Sequence, residues 1–324
     1  MPRTSTPRVG LPPAPPARRL RRAAPVDSRG RTVWLRFCRH RLAVGGLIML
    51  GLLMVGTVCG PLVYPHRVNT IDFRVALQGP SRAHPLGTDD MGQDLFARLM
   101  YGGRVSLAVG FLSMLIALGL GISIGAMAGY CGGTVDAVCM RVTDLCLSLP
   151  QLPVLLLVVY LFRDAMRRVF APELGIFLLI VVVLGGLRWM PLARLVRAAV
   201  LSVKAQAFVE AAVSLGSSPG RVLMRHLLPN ALSPVIVAAS LGVGSAILAE
   251  SALSFLGLGF PPDMPTWGRV LFEAKDALEV APHWALGPGT MIVLAVLSIN
   301  YVGDGLRDAL DARRVQGQRA SRRG

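Results

Sequence analysis

Charged residues are scarce in this sequence. Only 16% of its 324 residues are charged, whereas 53% are hydrophobic, and the mean hydropathy is +0.56. A soluble domain seldom combines so much apolar residue with so little charge, so the composition indicates an integral membrane protein. The apolar residues also fall in runs of about 20, the length that a helix needs to cross a bilayer.

Lysine is nearly absent, since the chain has two, Lys204 and Lys275. A Walker A loop requires the pattern G-x-x-x-x-G-K-[ST], in which backbone amides and the lysine hold the phosphates of a nucleotide. Neither lysine is followed by Ser or Thr. We therefore expect that this chain does not bind ATP by that motif and that it carries no cofactor of its own.

Motifs for metal binding and hydrolysis are missing or out of place. The five cysteines form no C-x-x-C pair and no histidine begins an H-E-x-x-H sequence, so neither a disulfide framework nor a zinc site is expected. Residues 216–220 fit the G-x-S-x-G pattern of serine hydrolases. That motif needs a strand before the serine, whereas both flanks here have a helical pattern. We expect no catalytic residue and no metal ligand.

Six apolar runs predict the architecture, an all-α membrane bundle of six transmembrane helices. The runs are residues 42–64, 105–130, 135–162, 174–189, 231–256 and 286–306. The net charge is +16, and Arg is dense in both tails and between runs four and five. The positive-inside rule places these regions, and therefore both termini, in the cytoplasm. In this topology Arg163, Arg167 and Arg168 fall on the opposite side, against the rule.

The chain divides into four predicted regions. Residues 1–41 form a basic, proline-rich tail whose composition predicts disorder as far as about Arg31. Residues 42–100 hold the first span and an extracytoplasmic loop, and residues 101–308 form the transmembrane domain. Residues 309–324 form a cytoplasmic tail. Within the transmembrane domain, residues 207–230 interrupt the apolar runs with a polar stretch that keeps a helical period.

This stretch predicts a helix–turn–helix elbow. Apolar residues recur at i, i+3, i+4 and i+7, namely Phe208, Ala211, Ala212 and Leu215. Gly216 is placed to end this first helix. Ser218 and Pro219 are placed to begin a second one, which Pro229 would end. Such an elbow suits insertion into a groove on a cytoplasmic partner, although two helices lying on lipid headgroups would show the same pattern.

The elbow also carries a recognisable motif. Glu210-Ala211-Ala212-x-x-x-Gly216, followed by His226-x-Leu228-Pro229-Asn230, resembles the EAA loop of bacterial ABC-importer permeases. The resemblance implies that the first helix docks into a cleft of a separate nucleotide-binding subunit and transmits its closure to the spans. The residues that it assigns to this coupling are Glu210, Ala211, Ala212, Gly216, His226, Pro229 and Asn230.

Three further stretches narrow the resemblance. Residues 84–89 (HPLGTD), 250–260 (ESALSFLGLGF) and 303–308 (GDGLRD) resemble dipeptide/oligopeptide-type permeases of the second, "C" kind. The similarity extends over about residues 35–314, with Gln93 standing where that family usually has Arg. It implies a bacterial inner-membrane protein that pairs with a homologous permease, with lipid and with an extracytoplasmic binding protein. Two partner ATPases would bind ATP and magnesium, and no nucleic acid is involved.

Several assignments stay open. Related permeases carry dipeptides and longer peptides, but also nickel chelates, glutathione or opines. An ion-coupled secondary transporter would need buried charges at mid-membrane, and the six runs place almost none there. A membrane-anchored interaction protein would leave the elbow unexplained.

Five residues are further candidates for a role. Glu250, late in span five, either lines the outer mouth of the pathway or braces the loop beside Trp267. The series Gly121-x-x-x-Gly125-x-x-x-Gly129 makes a groove along one helix face. Either a helix of the same bundle or a helix of a second subunit would pack into that groove.

Overall fold

The computed structural model describes residues 33–310. Most of the predicted N-terminal tail and nearly all of the predicted C-terminal tail therefore lie outside the described residues. Within the described part, the secondary structure is helical apart from one isolated antiparallel bridge, between Thr88 and Asp94. The all-α prediction is thereby confirmed.

The helices are numbered here in chain order. They are α1 (Arg41–Val63), α2 (Leu95–Cys131), α3 (Gly133–Ser148), α4 (Gln151–Val169), α5 (Pro172–Gly186), α6 (Trp189–Lys204), α7 (Ala207–Ser214), α8 (Leu228–Phe255), α9 (Trp267–Ala274) and α10 (Pro282–Leu310). One helical turn, Pro219–Arg221, and a π-helical segment, Val222–Leu227, precede α8. Short 3-10 turns lie at Phe73–Val75 and Lys275–Ala277.

Five helical segments are long and apolar enough to cross a membrane. They are Arg41–Val63, Leu95–Cys131, Pro172–Lys204, Pro219–Phe255 and Pro282–Leu310. The pair α3 and α4 would make a sixth crossing, although its two halves meet at an angle of 86°. The predicted six runs are therefore present, but the third and fourth differ in shape from the prediction.

The third run is not one continuous helix. The prediction of a single helix over residues 135–162 was wrong, because α3 ends at Ser148 and α4 begins at Gln151. Leu149 between them has an extended backbone, with φ −80° and ψ 136°. The ring of the following Pro150 disfavours the helical conformation at Leu149, which explains the break.

The fourth span is longer than the hydropathy indicates. The apolar run ends near residue 189, but α5 and α6 form one helical rod over Pro172–Lys204, interrupted by a turn at Leu187 and Arg188. The rod continues through charged positions because α3 supplies their partners. Arg197 pairs with Asp136, and Arg194 pairs with Asp144. These arginines therefore lie on a spanning rod and not in the loop where the topology prediction had placed them.

The glycine series on α2 packs against α6 of the same chain. An added Cβ at Gly125 would lie 2.3 Å from the Ala193 carbonyl oxygen, and one at Gly121 would lie 2.6 Å from the Cβ of Leu192. At Gly129 it would lie 3.0 Å from the Arg197 carbonyl oxygen. The groove is filled along its length, and the pairing of α2 with α6 is the most extensive helix contact of the described part.

We expect Gly125→Ala to destabilise the bundle, because the new methyl group must displace the α6 backbone. Overpacking of this kind costs about 1–3 kcal/mol. Gly119→Ala is the matched control on the same helix, since an added Cβ there meets nothing within 4 Å. Thermal unfolding of the two purified variants in one detergent measures the difference. Equal melting temperatures would contradict the packing described here.

Candidate functional site

The elbow, residues 207–230, turns at Gly216. This glycine has φ +80°, a left-handed conformation that favours glycine. Its N–H donates to the Val213 carbonyl (2.9 Å), and the Ser217 N–H donates to the Ala212 carbonyl (3.1 Å). The second of these bonds is the outer bond of a Schellman closure, which satisfies the carbonyls at a helix end. An added Cβ would meet nothing within 4 Å, so Gly216 is needed for its backbone conformation and not for space.

The inner side of α7 is anchored to the bundle. Val209 is buried in a cluster with Val203 of α6 and with Val222 and Leu227 of the π-helical segment. Lys204, at the end of α6, donates to the Tyr130 carbonyl near the end of α2 (2.7 Å). The elbow is thus seated on the ends of the spanning helices α2 and α6.

The outer side of α7 presents apolar side chains to the surface. Leu215 is 88% exposed, and Phe208, Val213 and Met224 are also exposed large hydrophobic residues. The predicted apolar stripe of this helix therefore points in part away from the bundle. Glu210 and Ala211 are exposed on the same short helix. Apolar side chains clustered on a protruding surface mark an interaction site.

The second arm of the elbow continues into a spanning helix. The prediction that Pro229 ends this arm was wrong, because the helical segment continues through Pro229 into α8. The preceding turn is π-helical, and the Leu228 N–H donates to the Leu223 carbonyl, five residues back. The Asn230 side chain donates to the His226 carbonyl (2.7 Å). His226, Pro229 and Asn230 thus form the junction between elbow and span.

The opposite end of the bundle is closed by the cap, defined as residues 65–94 together with α9. Asp89 is fully buried and accepts bonds from the N–H groups of Met91 (2.9 Å) and Gln93 (2.8 Å). Burial raises the pKa of the Asp89 carboxyl, and the neighbouring Arg98 opposes that shift. Asp94 accepts from the Ala97 N–H (2.8 Å) at the start of α2. The HPLGTD segment therefore forms a folded support and not an exposed loop.

A buried ion network joins the cap to the bundle. Arg98 is 3% exposed and bonds both to Asp89 and to Glu273 on α9, the latter at 2.7 Å. Arg269 bonds to the other oxygen of Glu273 (2.8 Å). Arg98, Arg269 and Glu273 were not predicted. Arg98 and Glu273 lie 175 residues apart and leave no local pattern, whereas the i,i+4 spacing of Arg269 and Glu273 is a local signal that could have found that pair. Gln93 lies beside this network, with Arg98 and Arg269, at a cavity of about 440 Å³.

Glu250 and Trp267 both lie inside the subunit, fully buried. The Glu250 carboxylate accepts from three hydroxyl groups, those of Ser106 (3.2 Å), Ser254 (2.9 Å) and Thr266 (2.8 Å). The indole N–H of Trp267 donates to the Leu99 carbonyl (3.0 Å). These bonds hold α9 against α2 and α8. Glu250 and Trp267 therefore stabilise the packing of the cap on the bundle and do not line an open surface.

The spanning helices and the exposed elbow define the class of this chain, a multi-pass membrane subunit of a transport system. Residues 121–316 match the family described as binding-protein-dependent transport system inner membrane component. Residues 28–80 match the N-terminal transmembrane domain of oligopeptide transport permease C. The chain belongs to the binding-protein-dependent inner membrane component family, the permeases of ABC importers. It is a transport subunit of the inner membrane.

Relatives cover most of the chain. It is 38% identical to a dipeptide transport system permease of Alkalihalophilus pseudofirmus over 85% of this chain and 87% of that protein. It is 37% identical to an oligopeptide permease of Haemophilus influenzae (88% and 90% covered) and to a glutathione permease of Pectobacterium atrosepticum (87% and 91% covered). The resemblance to peptide-type permeases is confirmed.

A solved structure shares the fold. An inward-facing methionine ABC transporter aligns with a TM-score of 0.52 at 19% identity, covering 67% of this chain and 96% of that chain. At this identity the likeness concerns the fold alone. It agrees with the helical bundle described above.

We expect Asp89→Asn to loosen the cap, because Arg98 then loses one of its two carboxylate partners in a buried site. Removing one partner of a buried ion pair costs about 3–5 kcal/mol, and the Glu273 contact reduces this to about 2–3 kcal/mol. Asp90→Asn is the matched control, since Asp90 is exposed. Protease sensitivity of the cap and the melting temperature of the two variants test this. A cap equally resistant in both would contradict the assignment.

Proposed function

We propose that this chain forms half of the translocation pathway of an importer for dipeptides, oligopeptides or related small cargo. Its partners are a homologous second permease, two separate ATPases that bind ATP and magnesium, and an extracytoplasmic binding protein that delivers the cargo. The observation that carries the proposal is the exposed apolar elbow, which continues directly into a membrane-spanning helix. The names of the dipeptide and oligopeptide relatives support peptide cargo. Nickel chelates, glutathione or opines are the alternative within the same family, and the name of one relative supports glutathione.

The elbow transmits ATPase closure through its two arms. The first arm, α7, supplies the docking surface with Glu210, Ala211 and Ala212, and the small side chains of the two alanines let a partner approach closely. The second arm is continuous with α8 over Pro219–Phe255, a helical segment of 37 residues and about 55 Å. A shift of the docked elbow therefore moves a whole spanning helix. The two states of the pathway differ in their contacts with the ATPase, so nucleotide binding changes their populations.

Glu250 and Trp267 serve in this proposal as a brace of the cap and not as contacts for cargo. Both are fully buried within one subunit, so cargo passing between subunits does not reach them. An ion-coupled secondary transporter, the competing class, would place carboxylates near mid-membrane. The buried carboxylate of α8 instead lies close to the end of the helix that faces the cap.

We expect Gly216→Ala to reduce ATP-driven uptake by about tenfold, because a Cβ in the left-handed conformation costs about 1–2 kcal/mol. Gly220→Ala is the matched control within the elbow, since Gly220 has neither a positive φ nor a neighbour within 4 Å of an added Cβ. Uptake by the reconstituted complex is the measurement. Full uptake and full ATPase binding in a Glu210→Arg, Gly216→Pro double variant would rule out the coupling role.

We expect Leu215→Glu to weaken copurification with the ATPase subunits at least tenfold. Burying a leucine side chain contributes about 1.5–3 kcal/mol, and a charge in its place also has to be desolvated. Val280→Glu is the control, because Val280 is equally a highly exposed apolar residue but lies at the cap end, just before α10. Equal ATPase recovery with both variants would show that α7 is not the docking surface.

A further inference from the structure

Arg188 lies midway along a helical segment that is long and apolar enough to cross a membrane. It occupies the turn at the midpoint of the Pro172–Lys204 rod. Its guanidinium donates to the Ser245 hydroxyl (2.6 Å) and to the Ser245 carbonyl (2.7 Å) on α8. Ser245 is about 15 Å from the outer end of α8 at Phe255, which is half the thickness of the hydrocarbon layer. The expectation that mid-span positions carry almost no charge was therefore wrong at this residue.

Arg188 differs from the other arginines of the rod in having no acidic partner. Arg194 and Arg197 each pair with an aspartate of α3. Within residues 33–310, no carboxylate oxygen lies within the 4.0 Å ion-pair distance of the Arg188 guanidinium. The two bonds to Ser245 use two of its five N–H donors, so three stay available. A charged side chain facing lipid at this depth is strongly disfavoured, so we infer that the free donors of Arg188 face a polar group other than lipid.

A cavity of about 280 Å³ lies beside Arg188. Leu155, Leu184 and Leu248 contribute apolar walls, and Gln151 contributes a polar amide. Gln151 is the first residue of α4, so the break between α3 and α4 brings a helix N-terminus to this cavity. The first amides of a helix lack intrahelical acceptors and carry partial positive charge. The guanidinium of Arg188 and the first turn of α4 thus line one small, largely apolar cavity.

We propose that Arg188 and the N-terminus of α4 bind a carboxylate group of the cargo while it crosses the membrane. The inference rests on the proposed import function and specifies the chemistry of one site within it. A peptide carries an ionised C-terminal carboxylate at neutral pH, and guanidinium groups bind carboxylates through two parallel hydrogen bonds. The leucine walls suit the apolar side chain beside that terminus.

Ser245 holds the guanidinium in position when the site is empty. Its hydroxyl and carbonyl are neutral acceptors, whereas the incoming carboxylate is charged and forms the stronger bonds. The carboxylate therefore replaces solvent at the three free donors without having to displace an ion pair. Leu248 lies one turn from Ser245 and is exposed at the cavity, so a probe attached there reports on the same space.

Reactivity of a cysteine at the cavity tests the site without any cargo. Leu248→Cys is placed in a chain whose five native cysteines are replaced by serine, within the assembled complex in proteoliposomes. We expect a negatively charged methanethiosulfonate to react about tenfold faster than a positively charged one of similar size, owing to the nearby cation. Arg188→Gln should abolish this preference. Arg168→Gln, at the far end of α4, should retain it.

Two outcomes of this experiment would overturn the inference. A wild-type preference near unity means that no unpaired cation faces the cavity, whether or not Arg188→Gln folds. Failure of both reagents to modify Leu248→Cys means that the face is sealed by lipid or by a neighbouring subunit. Retention of the preference in Arg188→Lys, which keeps the charge, supports the site.

Uptake of dialanine connects the site to transport. We expect Arg188→Gln to reduce uptake about tenfold while stimulation of the ATPases by the binding protein persists, and Arg188→Lys to recover part of the loss. Equal uptake by wild type and Arg188→Gln would overturn the inference and leave the proposed function intact. If the wild-type complex imports neither dialanine nor longer peptides but shows the charge preference, peptide import fails and the anion site stands.

Discussion

The bilayer offers no water to the backbone, so every spanning segment must satisfy its own hydrogen bonds, and regular helices are the economical solution. Three departures from regular helix in this chain are therefore informative. They are the break between α3 and α4, the turn at Arg188 between α5 and α6, and the π-helical segment Val222–Leu227. The first two border the same cavity, and the third joins the elbow to α8. Irregular backbone is found where the proposed mechanism places cargo recognition and coupling.

The two ends of the bundle are built in opposite ways. At the cap, Asp89, Arg98 and Glu273 are bonded to one another in a buried network, so the cap has little freedom to move. At the elbow, Leu215 and its apolar neighbours are exposed, and the proposed function has a partner protein cover them. The close approach of α2 and α6 along Gly121, Gly125 and Gly129 connects the ends. Force applied at the elbow therefore acts on a rigid frame.

Local signals allowed the sequence to predict part of this structure. The period of residues 208–215 and the glycine at 216 predicted the first arm of the elbow and its end, and the apolar runs predicted the spans. Hydropathy did not detect the break at Leu149, because the ring of Pro150 interrupts the helix within a run that stays apolar on both sides. It ended the fourth span too early because Arg194 and Arg197 look exposed until Asp144 and Asp136 are seen beside them. In both the rod and the cap, ion pairs between residues far apart in the sequence decide the structure, and a reading of local patterns does not detect such pairs.

The continuity of α8 with the elbow makes this helix a lever. Its outer end is fixed at Glu250 by the hydroxyl groups of Ser106 on α2 and of Thr266 before α9, which makes that point the fulcrum. Val222 lies about 42 Å from Glu250 along the axis, whereas Ser245 lies about 8 Å from it. A displacement at the elbow is therefore reduced about fivefold where α8 meets Arg188. Under the proposed mechanism, a movement of about 5 Å at the docked elbow becomes an adjustment of about 1 Å at Arg188, enough to change the length of a hydrogen bond.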